Sequence, residues 1–354
     1  MLRRTPAAGG RVRRPARRND RALAPDWRLW AAENLLAGRS REEVASVLVE
    51  QGVDAEEAAA QVAALLASPV TAAARRYVAQ SRRLELTTRL LAELNRTAPH
   101  ATRVERRAGV GAEEFFDRYY ATCTPVVLTD VVTRWPAFGR WTPEYLKARV
   151  GDVEVAAVFG REGDPDYDLN TPKHSRPVRF GDFIDRVVAA GESNDLYLVA
   201  NNRNMDRAAL QVLYDDVALD PTFFDPKRLA GSVALWVGPG GTVTPMHHDT
   251  CNILFGQVYG RKRFRLVAPW EPAMIPATRG VYSRVDPEAP DLAAYPDFAK
   301  AVVKDVTLEP GDMLFIPVGW WHHVRALSLS INLAFTNFTR SNAFDWYRPG
   351  EARG

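Results

Sequence analysis

The sequence predicts a mostly β domain, a sandwich or barrel of short strands with flanking helices, preceded by an all-α segment. Three observations carry this prediction. From Ser232 onward, short apolar runs (SVALWVG, ILFGQVY, KRFRLVA, DVTLE, MLFIP, LSLSINLAF) recur between Gly and Pro turns, the pattern of a packed or closed antiparallel sheet. Residues 26–95 instead carry helical spacing and helix-start signals. The 354 residues, 46% hydrophobic and 25% charged, suit one large β domain plus a smaller unit of ordinary globular composition.

In chain order, residues 1–25 hold eight arginines and one acid, Asp20, a contribution of +7. The remaining body, with 38 basic and 42 acidic residues, is about −4. The basic balance therefore belongs to a tail, expected to be a disordered, solvated arm. No apolar stretch follows Arg3-Arg4, which argues against an export signal.

A helical module is expected over residues 26–99. Trp27, Trp30, Leu35 and Leu36 share helical spacing up to Gly38. Ser40 with Glu43 is a capping-box signature, and Asp54 with Glu57 opens a helix that stops at Ser68-Pro69. A longer helix from Thr71 to about Asn95 has Leu84, Leu90, Leu91 and Leu94 as apolar positions. Short capped helices raise a helix-turn-helix reading, but AEEAAAQVAALLAS carries no Lys or Arg to meet phosphate or base edges. A packing module, with a homodimer through these helices, is expected in place of nucleic-acid binding. His100 reads as an exposed loop histidine.

The β domain is expected over residues 100–354. GAEEFFDRYY predicts an amphipathic helix, TPVVLTDVV a strand and WPAFGRWTPEYLKARVG a turn and helix. DVEVAAVFG and NDLYLVAN predict strands, separated by a polar loop with His174, a surface histidine, and by the helix RFGDFIDRVVAAG.

The chemistry centres on His247-His248-Asp249 and the distant segment GDMLFIPVGWWHHVRALSLSINLAF. His247 and Asp249 are two apart, so on a strand both face one side and His248 the other. Alternation likewise allows only one of His322 and His323 to face a cavity. Two histidines and a carboxylate closing on one face of a metal form the set used for Fe(II) oxygen chemistry. In GRKRFRLV, Phe264 and Leu266 mark the inward face, and Lys262 shares it, whereas Arg261, Arg263 and Arg265 share the other. A buried ammonium without a counter-charge is costly, which argues for an anionic ligand. In the last strand, Ser328, Ser330, Asn332 and Ala334 form a small polar face suited to a cavity wall. Cys251 reads as a packed strand residue, and at least one of Trp320 and Trp321 as barrel packing. Long insertions beside active sites commonly bind substrate, and residues 271–298 interrupt the strands. Arg279, Tyr282 and Arg284 are its candidate substrate contacts.

Gly241 to His247 fits G-x5-H, and Gly311, Pro317, Gly319 and His322 fit G-x5-P-x-G-x2-H. With TVTPMHHD, GQVYGRKRFRLV and SINLAF, these motifs resemble the cupin-like JmjC hydroxylases, relatives of the asparaginyl hydroxylase of hypoxia-inducible factor. The likeness runs over about residues 113–338 and is strongest after Gly231. It implies a double-stranded β-helix (jelly roll), with Fe(II) held by His247, Asp249 and His322. It also implies 2-oxoglutarate as co-substrate, anchored by Lys262 and further contacted by Thr244, Asn252, Asn332 and Tyr197. The implied reaction uses O2 to hydroxylate an unactivated C–H bond of a peptide, protein or small-molecule substrate, releasing succinate and CO2. The chain departs from the family pattern at Ala326, usually Asn, and at Ala334, where an aromatic is found. The Asp249–Asn252 spacing is one residue shorter.

Two other readings stay open, a non-redox metal-binding cupin and a DNA-associated regulator or demethylase. No apolar run reaches membrane-spanning length, and the two cysteines suggest no disulfide framework, so a cytoplasmic protein is expected.

Overall fold

The computed structural model describes residues 23–348, and the arginine-rich arm, apart from its last residues, lies outside them. Contacts divide the chain into two compact units, the break falling between Thr88 and Arg89.

In the first unit, helices α1 (Pro25–Leu36), α2 (Arg41–Glu50) and α3 (Ala55–Ala67) enclose a core that includes Leu23, Trp30, Leu35, Val44, Leu48 and Val62. The Ser40 hydroxyl accepts from Glu43 N at 3.1 Å, and the Glu43 carboxylate accepts from Ser40 N at 2.9 Å. This reciprocal pair satisfies two end-of-helix donors. Asp54 caps α3 by accepting from Glu56 N and Glu57 N. Helix α4 (Pro69–Thr97) continues for 29 residues, and its Leu84, Leu90, Leu91 and Leu94 are exposed.

The second unit begins with β1 (Glu105–Arg107). The helix expected over GAEEFFDRYY is divided, since α5 (Ala112–Phe115) passes into a wider π turn at Phe116–Tyr120. Then come β2 (Val126–Leu128), α6 (Pro143–Val150), β3 (Glu154–Phe159), α7 (Thr171–His174), β4 (Ser175–Arg179), α8 (Phe180–Ala190) and the short β5 (Leu196–Tyr197). The remaining strands are β6 (Val233–Gly238), β7 (Val243–His247), β8 (Ile253–Tyr259), β9 (Lys262–Val267), β10 (Thr278–Arg279), β11 (Tyr282–Ser283), β12 (Val303–Leu308), β13 (Met313–Ile316), β14 (Trp321–Ala326) and β15 (Ser330–Phe335).

One sheet has the order β1-β2-β13-β8-β15-β6, the other β10-β11-β7-β14-β9-β12. From β6 to β9, and again from β12 to β15, successive strands alternate between the sheets, the winding of a double-stranded β-helix. A third sheet, β4-β3-β5, continues the first, because Leu198 exchanges backbone hydrogen bonds of 2.9 and 3.2 Å with Val237 of β6.

Alternation divides the cores. Phe264 and Leu266 of β9 join Phe255, Ile316, Trp320 and Ala334 in one cluster, while Ile331, Leu333 and Phe335 of β15 pack in another with Phe115, Trp135 and Leu254. Arg263 and Arg265 turn away and pair with Asp305 of β12. The insertion after β9 has its own cluster, including Met274, Val285, Phe298 and Trp321, and its hairpin β10–β11 joins β7 where Tyr282 pairs with His247. Gly319 turns the chain into β14 at φ +77°, where a Cβ would lie 2.7 Å from the Tyr347 ring. Both the left-handed backbone and the close approach require glycine. Among the described residues, no single helix is long and apolar enough to cross a membrane.

Candidate metal centre and co-substrate cavity

The ladder between β7 and β14 sets His247 directly opposite His322, with ring centroids 4.1 Å apart. The Nδ1 of His247 lies 2.7 Å from Pro245 O, and that of His322 lies 2.9 Å from Trp320 O. A carbonyl can only accept, so each Nδ1 carries the proton and each Nε2 keeps its lone pair for a ligand role. Asp249 Oδ2 approaches His322 Nε2 at 3.4 Å. One ligand atom from each of His247, Asp249 and His322 lies within 4.8 Å of the others. This is a 2-His-1-carboxylate set.

Burial lowers His247 to about 4, which keeps it neutral at pH 7 as a ligand must be. Burial pushes the Asp249 carboxyl up, but the His322 hydrogen bond and the neighbouring histidines outweigh it and hold the group at about 2. The other member of each pair faces elsewhere. His248 packs edge-on against Trp321 and Tyr347, and His323 lies beside Asp286 and Glu288.

The triad opens on a cavity of about 390 Å³ also lined by Lys262, Tyr197, Thr244 and Trp236. Lys262 is only 1% exposed, donates from Nζ to the Tyr197 hydroxyl at 2.6 Å, and has the Tyr197, Phe255 and Trp236 rings 5.0–5.7 Å away. Desolvation lowers it to about 7. Asn332 is fully buried, neither end of its amide has a partner, and the Trp236 indole opposite it also lacks one. Buried polar groups are normally satisfied. A buried cation and an orphaned indole N–H lining one cavity, with the orphaned Asn332 amide beside that indole in the strand ladder, fit a small anionic ligand rich in acceptors, as 2-oxoglutarate is. Asn252 differs from the other expected contacts. Its Nδ2 donates to Asn342 Oδ1 at 2.9 Å and its Oδ1 accepts from Val318 N at 2.9 Å, so the protein itself engages both ends.

Of the insertion residues, Tyr282 lines the cavity, its ring 6.0 Å from that of His247. Arg279 pairs with Asp166 at 3.0 Å, and both it and Arg284 line a neighbouring depression.

Sequence reasoning missed two groups from the polar loop after β3. Arg161 is 1% exposed, lies 4.0 Å over the Tyr167 ring and is 3.7 Å from Asp168. Asp168 lines the cavity, its Oδ2 is buried without a partner, and desolvation pushes its carboxyl up to about 6. An irregular loop has no periodicity to flag them. Cys251, expected on a strand, is on the loop between β7 and β8 and lines the cavity. His174, expected at the surface, is half-buried with Nε2 2.9 Å from Asp164. The strand ladder ends at His247, leaving Cys251 in an irregular turn, and the loop after β3 folds back over His174.

The cupin-like domain family model matches residues 112–343, a span that includes both large sheets apart from β1 and every cavity residue named here. The chain belongs to the cupin-like domain family. This cupin-like protein is 33% identical to Lysine-specific demethylase JMJ30 of Arabidopsis thaliana over 240 residues, 66% of this chain and 54% of that protein. It is 30% identical to tRNA wybutosine-synthesizing protein 5 of Danio rerio over 253 residues, 68% and 77% of the two chains. It is 41% identical to HSPB1-associated protein 1 of Bos taurus over 234 residues, 59% and 47%. The cupin-like chain spans about half the length of the lysine-specific demethylases it matches. The fold is of the JmjC type, with the triad typical of Fe(II)/2-oxoglutarate oxygenases.

Proposed function

We propose that this protein is an Fe(II)- and 2-oxoglutarate-dependent oxygenase that hydroxylates an unactivated C–H bond of a peptide, protein or amino-acid side chain. One observation carries the reading: a 2-His-1-carboxylate set with free Nε2 atoms shares a cavity with a buried ammonium that has no acidic partner among the described residues. Iron with 2-oxoglutarate would supply oxidising chemistry from O2, with release of succinate and CO2.

The chain's own part is positioning. His247, Asp249 and His322 would hold the metal, the histidines oriented by the carbonyls of Pro245 and Trp320. Lys262, steadied by Tyr197, would take the far carboxylate of 2-oxoglutarate, with Thr244 and Asn332 offering hydrogen bonds. Val324, Phe264 and Ile316 in the cavity lining exclude water from the reacting centre. Tyr282 and Asp168, in the cavity lining, would meet a substrate side chain, with Arg279 and Arg284 as outer contacts beside the adjoining depression.

A second reading is removal of a methyl group from N-methyl-lysine, which begins with hydroxylation of the methyl carbon. The buried Asp168 Oδ2, which has no hydrogen-bond partner, favours a cationic side chain, and several relatives carry the name lysine-specific demethylase. The exposed leucines of α4 support a homodimer through the N-terminal helices, and the two free cysteines support a cytoplasmic setting.

The test is anaerobic visible absorption of metal-free protein given Fe(II) and then 2-oxoglutarate. A weak charge-transfer band, lost in His247→Ala and Lys262→Ala, is expected. Tight metal binding without such a band would remove the oxygenase reading in favour of a non-redox cupin.

A further inference from the structure

The three residues of the triad are not held in the same way. His247 and His322 sit on the ladder between β7 and β14. Asp249 does not, because β7 ends at His247 and residues 248–252 form an irregular loop. Something other than sheet pairing has to fix that carboxylate.

Besides the bond from His248 N to Val281 O at 2.9 Å at the start of the loop, two distant segments do so. From one side, the turn leading into β14 donates to the loop, Gly319 N to Asp249 O at 3.1 Å and Val318 N to Asn252 Oδ1 at 2.9 Å. The next residue, Trp320, supplies the carbonyl that holds His322 Nδ1. From the other side comes the segment after β15. Asn342 Oδ1 accepts from Asn252 N at 2.7 Å and from Asn252 Nδ2 at 2.9 Å, and Asn342 Nδ2 donates to Asn252 O and to Thr336 O, both at 2.9 Å. Phe344 N adds a bond to Thr250 O at 3.0 Å, and the Thr250 hydroxyl donates to Asp345 at 3.2 Å.

These four bonds fill the two acceptor sites and two donor hydrogens of a carboxamide, and the Tyr120 hydroxyl lies a further 3.4 Å from the same Oδ1. The Tyr120 hydroxyl steadies the neighbouring residue by donating to Ser341 O at 2.6 Å. Thr336 directly follows β15, so Asn342 ties the sheet to the loop through one side chain. Aspartate would keep the acceptors and lose both donors, and alanine would lose every one of these bonds.

We infer that Asn342, which lies outside both histidine motifs, is a positioning residue for the metal centre. Acting through Asn252, it fixes where the Asp249 carboxylate stands relative to His322. The inference rests on the triad being a metal site.

The experiment is Co(II) titration of metal-free protein under anaerobic conditions, following the visible d–d bands, with thermal midpoints recorded alongside. Wild type should bind and His247→Ala should not. A wild type that binds no Co(II) overturns the metal reading and this inference with it. In Asn342→Ala the dissociation constant should rise about tenfold to a hundredfold, the usual effect of losing a group that orients a metal ligand, and the d–d bands should shift. Asn342→Asp should give a smaller change in the same direction and serves if the alanine variant does not fold. Asp216→Asn, which disturbs the cluster of Arg140, Trp141 and Tyr145, controls for lost stability and should keep the wild-type spectrum. Folded Asn342 variants with wild-type affinity and bands, or a shift matched by Asp216→Asn, would overturn the role.

Discussion

Lys262 Nζ donates to the Tyr197 hydroxyl at 2.6 Å, and among the described residues it has no carboxylate within ion-pair distance. Desolvation therefore acts almost unopposed and lowers the ammonium to about 7. A bound dianion would reverse that by restoring a counter-charge.

The first prediction follows from this. Binding of 2-oxoglutarate to the metal-loaded protein should take up a proton above pH about 7 and almost none below it. The dissociation constant should be flat at low pH and rise towards tenfold per pH unit on the alkaline side. Calorimetry in two buffers of different ionisation enthalpy reads the uptake directly. Proton-neutral binding at pH 8.5 would mean that Lys262 is not the anchor.

The same burial makes Lys262 a stability cost in the ligand-free protein. Its folded pKa lies below the unfolded value of about 10.4, so the penalty is complete below pH about 7 and disappears as pH rises past the unfolded value. Lys262→Met should stabilise the ligand-free protein by about 1–4 kcal/mol at pH 6, with a shrinking gain towards pH 10, while abolishing 2-oxoglutarate binding. Urea unfolding at the two pH values checks both the sign and the trend.

The paired histidines should separate cleanly. His247→Ala and His322→Ala should lose the metal, whereas His323→Gln should retain one equivalent, because His323 faces Asp286 and Glu288 and not the triad. Metal-to-protein ratios after gel filtration decide this.

Gly319→Ala should destabilise the fold by about 1–3 kcal/mol, from a left-handed backbone that alanine tolerates poorly and from the Cβ contact with Tyr347. A lower urea midpoint with an unchanged m value is the expected signature.

Much of this was legible because strand alternation is a local property. Lys262, Phe264 and Leu266 are buried together on β9, as the spacing required, and the small polar face of β15 puts Asn332 beside Trp236. The capping box at Ser40 formed as written, since its partners are three residues apart. The α4 leucines share helical spacing, as read, but lie exposed in the single chain, because periodicity states which residues share a face and not what covers it. The substrate candidates divided for a similar reason. Tyr282 reaches the triad through its pairing with His247, while Arg279 is drawn to Asp166, a loop residue no spacing rule connects to it.

The sequence by itself determined a mostly β sandwich or barrel and the inward lysine, because periods of two and 3.6 residues follow from backbone geometry alone, and its motifs marked the segments that carry the histidines. Only the tertiary structure decided how the carboxylate of Asp249 is held and what else faces the cavity. Asn252 and Asn342 are 90 residues apart and meet through loop geometry, and Asp168 comes to the cavity on a loop with no repeat. Hydrogen bonds between irregular segments depend on where the whole fold brings their ends, and no local pattern in the chain records that.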